Sequence, residues 1–424
     1  MASAGWRRRL RLGGSSRSDP GEGHPDGFID VRKLMQELGV EGCLEQAEEY
    51  FAAVTDWRYH LSKPFFSAHE APVLLQRFAH LMQGLQLLPR MTVIDFGAGS
   101  CWMSRMLTQL DMKVIALDVS QTALNMGQEL YRRFPVLGDV PQPEFLLFDG
   151  YHIDLPDESV DRVICNDAFH HVPNPEQVLG ELARVLKPGG MAGFAEPGPE
   201  HSRAAQSQYE MRHYHVVEND MILSEIWEAA KRGGFTSIWV AVFAPPGYVM
   251  PATEFEHFVA RGWREADFAA ATREYMKGQR IFYLRNGEET TPLDSRQPTG
   301  LKAALRVGLE SRVVVEGRSF RGHASATNTG SAVWLPFSSP RGAVLLGGHL
   351  ASETGKRIDL DLVRARLTPG EGTPIAPGET VEVDFEIPAP PKGRYIIEFD
   401  LVAEGVSWFE LNNSEVARIL VEVT

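Results

Sequence analysis

The sequence predicts an open, doubly wound α/β sheet followed by an all-β domain. Between residues 91 and 286, short apolar segments alternate with segments of helical periodicity, which is typical of parallel strands joined by crossover helices. Later in the chain the apolar residues occupy every second position, most clearly at Val381, Val383 and Phe385, which indicates half-buried strands. A chain of 424 residues is too long for one typical domain, so the two patterns indicate two folded domains.

Changes in composition along the chain predict the domain boundaries. Residues 1–27 are rich in Gly, Ser, Arg and Pro and are predicted to be a disordered tail. Residues 28–88 carry apolar positions at helical spacing and are predicted to form an N-terminal helical cap. The α/β domain is expected at 89–286, a linker at 287–302, and a β-sandwich the size of an immunoglobulin-like unit at 303–424.

The predicted elements of the α/β domain follow from apolar runs and their turn signals. Seven strands are expected at 92–96, 113–117, 144–148, 162–166, 191–196, 237–243 and 280–285. Helices are expected at 102–110, 121–133, 175–186 and 220–232. Between the last two strands, the aromatic-rich segment 245–278 is too long for a plain loop and is interpreted as a lid.

Charge and cysteine content exclude several classes of protein. A net charge of −14 disfavours a protein whose main partner is a nucleic-acid backbone. Cys43, Cys101 and Cys165 form no CxxC pair, which predicts neither a disulfide framework nor a zinc site and fits a reducing cytoplasm. No apolar run reaches the roughly 18 residues of a membrane helix, although the Arg-rich N-terminus leaves a peripheral membrane contact open.

A glycine loop after the first strand predicts a nucleoside-binding site. Gly97 and Gly99 let the backbone turn sharply and let a ligand approach closely. The next strand ends in Asp118, whose carboxylate can accept hydrogen bonds from ribose hydroxyls. Trp102 stands where a dinucleotide site prefers a third glycine, so S-adenosylmethionine fits better than a dinucleotide, and Asp95 is placed to bind its ammonium group.

Five segments lie in a consistent order over about residues 90–200. They are Asp95-Phe96-Gly97-Ala98-Gly99, Asp118, Phe148-Asp149-Gly150, Asn166-Asp167-Ala168-Phe169-His170-His171-Val172 and Leu186-Lys187-Pro188-Gly189-Gly190. Together they resemble class I S-adenosylmethionine-dependent methyltransferases of the type 11-like group. The resemblance implies a seven-stranded Rossmann-like sheet and S-adenosylmethionine as cofactor, with Asp149 facing the adenine amino group. The residues expected at the cofactor are Asp95, Gly97, Ala98, Gly99, Asp118, Val119, Asp149, Gly150 and Asn166. Cys101 departs from the third glycine of many relatives and is expected to alter loop packing only.

The candidate proton acceptors for a hydroxyl substrate are histidines after the fourth and fifth strands. His171 and His201 are the predicted catalytic residues, with structural or loop roles as the alternative for each. The run 209–215 is rich in titratable groups and either binds a polar acceptor or forms a solvated helix face. No metal site is predicted, because no ligand cluster has a convincing spacing in the sequence.

The C-terminal segment adds a weaker resemblance, to β-sandwich modules of methyltransferases from bacterial surface-polysaccharide synthesis. The stretches 196–202, 327–334 and 399–409 carry it. Trp334, Trp408 and Phe409 either stack on sugar rings or belong to the sandwich core. The upstream aromatics Tyr59, Phe65 and Phe66 are interpreted as core rather than lid.

The sequence thus predicts a cytoplasmic enzyme that methylates a hydroxyl of a sugar or surface-glycan intermediate. One alternative is a small lipid-like or quinone acceptor held by an apolar pocket of residues 245–278. Another is a non-catalytic binding protein that keeps the fold. No nucleic-acid partner is expected, and a homo-oligomer is left open.

Overall fold

The computed structural model describes residues 27–138, 140–288, 293–368 and 372–424. The predicted disordered tail therefore lies, except for Gly27, outside the described residues. The chain divides into two compact units, the first ending at Glu289 and the second beginning at Thr290. Among the described residues, none of the helices combines the length and apolar character that crossing a membrane requires.

The first unit is built on one seven-stranded sheet, as predicted. Its strands are β1 (Thr92–Phe96), β2 (Lys113–Asp118), β3 (Glu144–Leu147), β4 (Val160–Asn166), β5 (Leu186–Pro197), β6 (Ser237–Val240) and β7 (Gln279–Arg285). They lie in the order β3-β2-β1-β4-β5-β7-β6, with β7 antiparallel to both of its neighbours and the other pairs parallel. The order reverses direction at β1 and β4, and ligands of such sheets bind at the carboxyl ends beside this point.

Ten helices are described in the first unit, and they cover the sheet and its carboxyl edge. They are α1 (Val31–Ala52), α2 (Arg58–Leu61), α3 (Ala71–Gly84), α4 (Trp102–Gln109), α5 (Gln121–Arg133), α6 (Pro175–Val185), α7 (Ala205–Tyr214), α8 (Leu223–Gly233), α9 (Ala252–Arg261) and α10 (Glu265–Lys277). The predicted cap of residues 28–88 is thus helical, and α1 is interrupted at Gly39, which has a φ of 64°. Both ends of α5 carry stabilising residues. At its start the Ser120 side chain accepts from the Ala123 N–H, and at its end Arg132 lies in the last turn, where the helix dipole favours a positive charge.

The central strands are buried on both faces, which fixes the positions of the residues that follow them. Ile94 on β1, Val163 on β4 and Phe194 on β5 are fully buried in one apolar cluster. A buried parallel strand needs such a continuous apolar run, and the run is what makes it recognisable in the sequence. The loops after β1, β2, β4 and β5 consequently meet at one rigid edge.

The second unit consists of two sheets that share an apolar core. Its strands are β8 (Ala303–Leu309), β9 (Val313–Val314), β10 (Ser319–Asn328), β11 (Val344–Ser352), β12 (Arg357–Arg366), β13 (Thr380–Pro388), β14 (Gly393–Ala403), β15 (Ser407–Trp408) and β16 (Ala417–Val423). One sheet has the order β13-β10-β8, and the other β12-β11-β14-β16-β9 with β15 beside β14. Phe385 from the first sheet and Phe399 from the second have ring centroids 5.4 Å apart in the core, as expected for a sandwich.

The structure refines the predicted linker of this unit and selects the core alternative for two of its aromatic residues. The predicted linker 287–302 is not a free connection over its whole length, because Leu301 is fully buried in the second core and Ser295 donates to the Gly342 carbonyl oxygen. Trp334 and Phe409 are also fully buried, so neither ring is available to stack on a sugar. Trp408 is half-buried and keeps some exposed surface.

Candidate active site

The loop between β1 and α4 has the left-handed backbone that its glycines permit. Gly97 has a φ of 66° and Gly99 a φ of 53°. A Cβ atom at Gly97 would lie 2.3 Å from the Cβ of Ala168, so close approach of the β4 loop also requires glycine there. Cys101 adopts a φ of 59° at the start of α4, and its sulfur fills the space beside Gly127. Cys101 therefore adopts a backbone conformation that glycine prefers, and its side chain packs beside Gly127.

Asp118 at the end of β2 holds this loop in place. Its Oδ2 accepts from the N–H of Gly99 over 2.7 Å, and its Oδ1 accepts from the N–H of Ser120 over 2.9 Å. The residue is buried, and burial raises the pKa of its carboxyl to about 6. A carboxylate has about four lone-pair sites, so Asp118 can still accept from a ribose hydroxyl.

These residues open onto a cavity of about 310 Å³ at the carboxyl edge of the sheet. Of the nine expected cofactor residues, seven line it: Gly97, Ala98, Gly99, Asp118, Val119, Gly150 and Asn166. Helix α1 forms the opposite wall, where a Cβ added to Gly150 would lie 2.8 Å from Val40 and 3.3 Å from Leu44. The N-terminal cap therefore covers the cavity, and Gly150 is needed because α1 approaches its backbone so closely.

The other two expected cofactor residues do not line the cavity. Asp95 is fully buried behind the loop, where one oxygen accepts from the N–H and the hydroxyl of Ser104, and burial raises its pKa to about 7. Asp149 is exposed, and its carboxylate accepts from the N–H groups of Tyr151 and His152. The predicted contacts of Asp95 with the ammonium and of Asp149 with adenine stay predictions.

A buried carboxylate organises the turn after β4. Glu196, near the end of β5, accepts from the backbone N–H groups of Ala168, Phe169 and His170. Its Oε2 also lies 2.6 Å from Nδ1 of His170, whose ring is buried. Burial raises the pKa of Glu196 and lowers the pKa of His170 to about 3.

The two predicted catalytic histidines lie in one cluster with Glu218. Nε2 of His201 is 2.6 Å from Oε2 of Glu218, and Nδ1 of His171 is hydrogen-bonded to the Val217 carbonyl oxygen. His171 and Glu218 line the cavity, whereas His201 is held beside Glu218 and is not part of the wall. Burial raises the pKa of Glu218 to about 8 and lowers the pKa values of both histidines.

Further charged side chains extend this polar end of the cavity. Lys63, Asp167 and Glu210 line it, and Arg77 makes an ion pair with Asp167. His215, from the predicted titratable run, also lines the cavity, while Tyr209 is exposed and stacks on His213. The run thus divides between the cavity wall and a solvated face.

The upstream aromatics and the segment 245–278 differ from the sequence interpretation. Phe65 and Phe66 are exposed rather than core residues, whereas the neighbouring His60 lines the cavity. Residues 245–278 form α9 and α10, and none of the described residues in that range lines the cavity. An apolar acceptor pocket built from that segment is therefore not observed at this cavity.

Two charged residues of the cavity wall, Lys63 and Glu218, were not predicted from the sequence, whereas Glu210 belongs to the titratable run 209–215. Glu218 follows no strand of the sheet and belongs to no motif. It reaches the cavity because the Asn219 N–H donates to the His170 carbonyl oxygen, and the Met221 N–H donates to the Gly198 carbonyl oxygen. Such contacts between distant segments leave no local signal in the sequence.

The cavity fits the groups of S-adenosylmethionine. Asp118 offers carboxylate oxygens to the ribose, and the side-chain oxygen of Asn166 is buried without a hydrogen-bond partner among the described residues. An unpartnered acceptor of this kind suits an ammonium group. Gly97, Gly99 and Gly150 all line the cavity, and at Gly99 the space that a side chain would fill is open up to the Phe51 ring at 3.9 Å, so an adenosine can lie against this loop.

Comparison with known proteins shows which family part of this chain is similar to. Residues 94–194 match the family model described as a methyltransferase domain. The chain is 28% identical over 200 residues to sterol 24-C-methyltransferase of Eremothecium gossypii, which covers 43% of this chain and 52% of that protein. It is 30% identical over 135 residues to demethylmenaquinone methyltransferase of Renibacterium salmoninarum, which covers 31% of this chain and 53% of that protein. The chain spans about half the length of these curated relatives.

A solved structure of geranyl diphosphate C-methyltransferase from Streptomyces coelicolor A3(2) aligns with a TM-score of 0.40 and 16% identity, covering 57% of this chain and 97% of that chain. The family match lies over β1, the glycine loop, Asp118 and the turn after β4, where the cavity is built. The chain therefore carries an S-adenosylmethionine-dependent methyltransferase domain over residues 94–194.

Proposed function

We propose that the whole chain transfers the methyl group of S-adenosylmethionine to a hydroxyl of a sugar or glycan intermediate. The observation that carries the choice of acceptor is the polar end of the cavity, where Lys63, Asp167, His171, Glu210 and Glu218 line the wall. Glu218 is buried and the other four are at least partly exposed, so an acceptor with several hydroxyls can supply hydrogen-bond partners to them inside the cavity.

The position of this end relative to Asp118 follows from the sheet. Asp118 ends β2, the histidines follow β4, and β1 lies between these two strands. An adenosine bound at Asp118 therefore places its sulfonium toward the β1 loop and the β4 turn. When bound, the cofactor supplies an activated methyl group, and the chain's own residues hold the acceptor in line with it and exclude water.

A hydroxyl acceptor releases one proton when its oxygen forms the new bond to carbon. His171 and His201 stay the predicted proton acceptors, and His171 is the one on the cavity wall. His201 is placed to support Glu218 rather than to touch the acceptor. His171 is accordingly the first residue to test for a direct contact.

A lipid-like or quinone acceptor is the second candidate. The names of the relatives above point to sterol and demethylmenaquinone substrates. The cavity also has apolar wall residues, among them Phe51, Leu74 and Val217, which suit a hydrocarbon ring or chain. This candidate does not need the segment 245–278.

The test begins with binding. Calorimetry of the full chain with S-adenosylmethionine should give one site, and absence of binding would overturn the proposal. The chain is then incubated with methyl-labelled cofactor and two acceptor panels, nucleotide sugars with oligosaccharides in one and sterols with prenylated quinols in the other. Label in the first panel supports the sugar acceptor, whereas label only in the second replaces it with the lipid-like acceptor.

A further inference from the structure

His170, His171 and Glu218 form a compact set of nitrogen and oxygen atoms at the polar end of the cavity. One ring nitrogen from each histidine and one carboxylate oxygen lie within 4.8 Å of one another. Glu218 approaches both rings: its Oε2 is 3.7 Å from Nε2 of His170, and its Oε1 is 3.9 Å from Nδ1 of His171, the nitrogen that is hydrogen-bonded to the Val217 carbonyl oxygen. Ligand atoms about 2.1 Å from a tetrahedral cation are about 3.4 Å apart, so donor atoms within 4.8 Å of one another would have to close by up to about 1.4 Å around an ion.

We propose that these three side chains bind a divalent transition-metal ion. Two imidazoles and one carboxylate are the donor set that suits Zn²⁺, Fe²⁺ or Co²⁺ rather than Mg²⁺ or Ca²⁺. Three protein ligands leave coordination positions open, and His171 and Glu218 direct those positions to the cavity that they line. Because the acceptor enters this cavity under the proposed function, the role of the ion in methyl transfer rests on that function, although its binding does not.

Each of the three ligands has an outer partner that orients it. Glu196 accepts from Nδ1 of His170, and the Val217 carbonyl accepts from Nδ1 of His171, which leaves Nε2 of each ring free to bind an ion. His201 contacts Oε2 of Glu218 and leaves Oε1 available. A metal-binding histidine characteristically donates its second ring N–H to a carboxylate or a backbone carbonyl, and both forms occur here side by side.

The carboxyl groups and the backbone around the two rings also suit a bound cation. Glu196 and Glu218 lie against the histidines, and Asp167 and Glu210 are close enough to act on them electrostatically. Of these four carboxyl groups, Asp167 is paired with the positive charge of Arg77. The Asn219 N–H donates to the His170 carbonyl oxygen over 3.2 Å, which holds the Glu218 segment against the β4 turn.

The absence of a metal prediction from the sequence has a physical explanation. His170 and His171 follow β4, whereas Glu218 lies between α7 and α8, so the three ligands have no motif spacing. The fold alone brings them together. An ion bound there would draw the acceptor hydroxyl to an open position and make its proton easier to lose.

In that arrangement His171 acts as a ligand and not as a direct base. The acceptor oxygen forms its bond to the methyl carbon, the carbon–sulfur bond breaks with its electrons left on sulfur, and the hydroxyl proton leaves to water. No oxidant or reductant is required.

The experiment measures metal binding by the full chain, separately from its activity. The protein is freed of metal with a chelator and titrated with Co²⁺, followed by visible ligand-field absorption, and with Zn²⁺, followed by calorimetry. One ion per chain is expected, with at least a tenfold weaker affinity in His171→Ala and in Glu218→Gln. Glu218→Gln keeps an oxygen that can accept from His201, so it removes the ligand charge with little change of shape.

Two control variants remove histidines elsewhere. His213 is exposed on α7, and His323 lies on an exposed strand of the second unit between Glu382 and Asp384. His213→Ala and His323→Ala should each leave the affinity unchanged. A wild-type chain that binds neither ion, binding that survives in both ligand variants, or binding lost only in His323→Ala would each overturn the inference.

Calorimetry with S-adenosylmethionine on the same proteins separates this inference from the proposed function. Cofactor binding by His171→Ala and Glu218→Gln shows that they are folded, so a loss of metal is then a loss of ligands. A chain that binds the cofactor but no metal contradicts only the metal site. A chain that binds metal but no cofactor contradicts only the proposed function.

Discussion

The N–H of Gly99 donates to Oδ2 of Asp118 over 2.7 Å and joins the loop after β1 to the end of β2. The bond couples two parts of the cofactor site that are adjacent in the sheet but separated in the chain. The carboxylate that is expected to bind ribose also fixes the glycine loop along which the ligand lies. A change at Asp118 is therefore expected to affect both the direct contact and the shape of the loop.

Asp118→Ala should weaken S-adenosylmethionine binding by about 2 kcal/mol, roughly thirtyfold in Kd, because hydrogen bonds to a charged acceptor are lost. Calorimetry of the full chain measures the effect. Asp154→Ala provides the matched control, since Asp154 is exposed and does not line the cavity. Equal affinity of the wild type and Asp118→Ala would rule out the ribose role.

Cofactor affinity should fall as the pH drops below about 6. The pKa of Asp118 is raised to about 6, so its carboxyl is largely ionised at pH 8 and about one tenth ionised at pH 5. Ribose hydroxyls donate best to the ionised form, and the affinity at pH 5 should be up to about tenfold weaker than at pH 8.

Calorimetry at pH 8, 7, 6 and 5 with Asp118→Asn as the reference isolates this carboxyl. Glu48 on α1 and Asp95 on β1 also act on it electrostatically, and both remain in the variant. A pH dependence that is just as steep in Asp118→Asn would assign the titration to another group.

The α/β sheet could be predicted because its signals are local. Apolar runs at β1, β2, β4 and β5 are flanked by turn residues, and the glycine loop lies within one strand–turn–helix unit. The boundary of the second unit was harder to predict from the sequence. Residues 287–302 contain Gly and Pro and have the composition of a linker. Leu301 is nevertheless buried in the second core by strands that come much later in the chain.

The candidate site was predictable only where residues follow strands directly. Asp118 and Asn166 end β2 and β4, so the topology alone places them at the carboxyl edge. Glu218 and Lys63 lie in irregular segments, and their positions depend on tertiary contacts rather than on periodicity. Asp95 belongs to the motif after β1 but is buried against Ser104 and does not line the cavity, so its contact with the ammonium group stays a prediction.

Gly97→Ala should lower the melting temperature more than Gly138→Ala. Both glycines have positive φ, so each substitution adds about 1–2 kcal/mol of backbone strain. Only at Gly97 would the new Cβ meet Ala168, at 2.3 Å, and such overlap adds about 1–3 kcal/mol more. Thermal unfolding of the full chain gives the comparison.

The double variant Gly97→Ala/Ala168→Gly tests the cause, because it removes the overlapping atom but keeps the strain. Its melting temperature should recover most of the difference between Gly97→Ala and Gly138→Ala, which would appear as a favourable coupling energy in a double-mutant cycle. No recovery would mean that the strain, and not contact with Ala168, sets the cost.

Glu48→Ala should weaken both the cap and the cofactor site. The Glu48 carboxylate on α1 accepts from Ser120 and Thr122 at the start of α5, where negative charge is also favoured by the helix dipole. Because α1 forms a wall of the cavity, loss of these bonds should lower the melting temperature and reduce cofactor affinity together. Glu45→Ala, at an exposed position of the same helix, should change neither.

Trp334→Ala should destabilise the second unit far more than Trp408→Ala. Trp334 is fully buried with its ring centroid 5.5 Å from that of Phe409, and truncating such a side chain costs about 3–5 kcal/mol. Trp408 is half-buried under the Arg364 guanidinium, at 4.6 Å, a contact that contributes about 0.5–1 kcal/mol at an exposed site. Calorimetric melting of the full chain should show a larger loss of stability for Trp334→Ala than for Trp408→Ala.

Of the three aromatics that were candidates for sugar stacking, only Trp408 keeps exposed surface, so Trp408→Ala should also abolish any glycan binding that depends on them. Glycan binding unchanged in Trp408→Ala would place the sugar contact elsewhere on the chain.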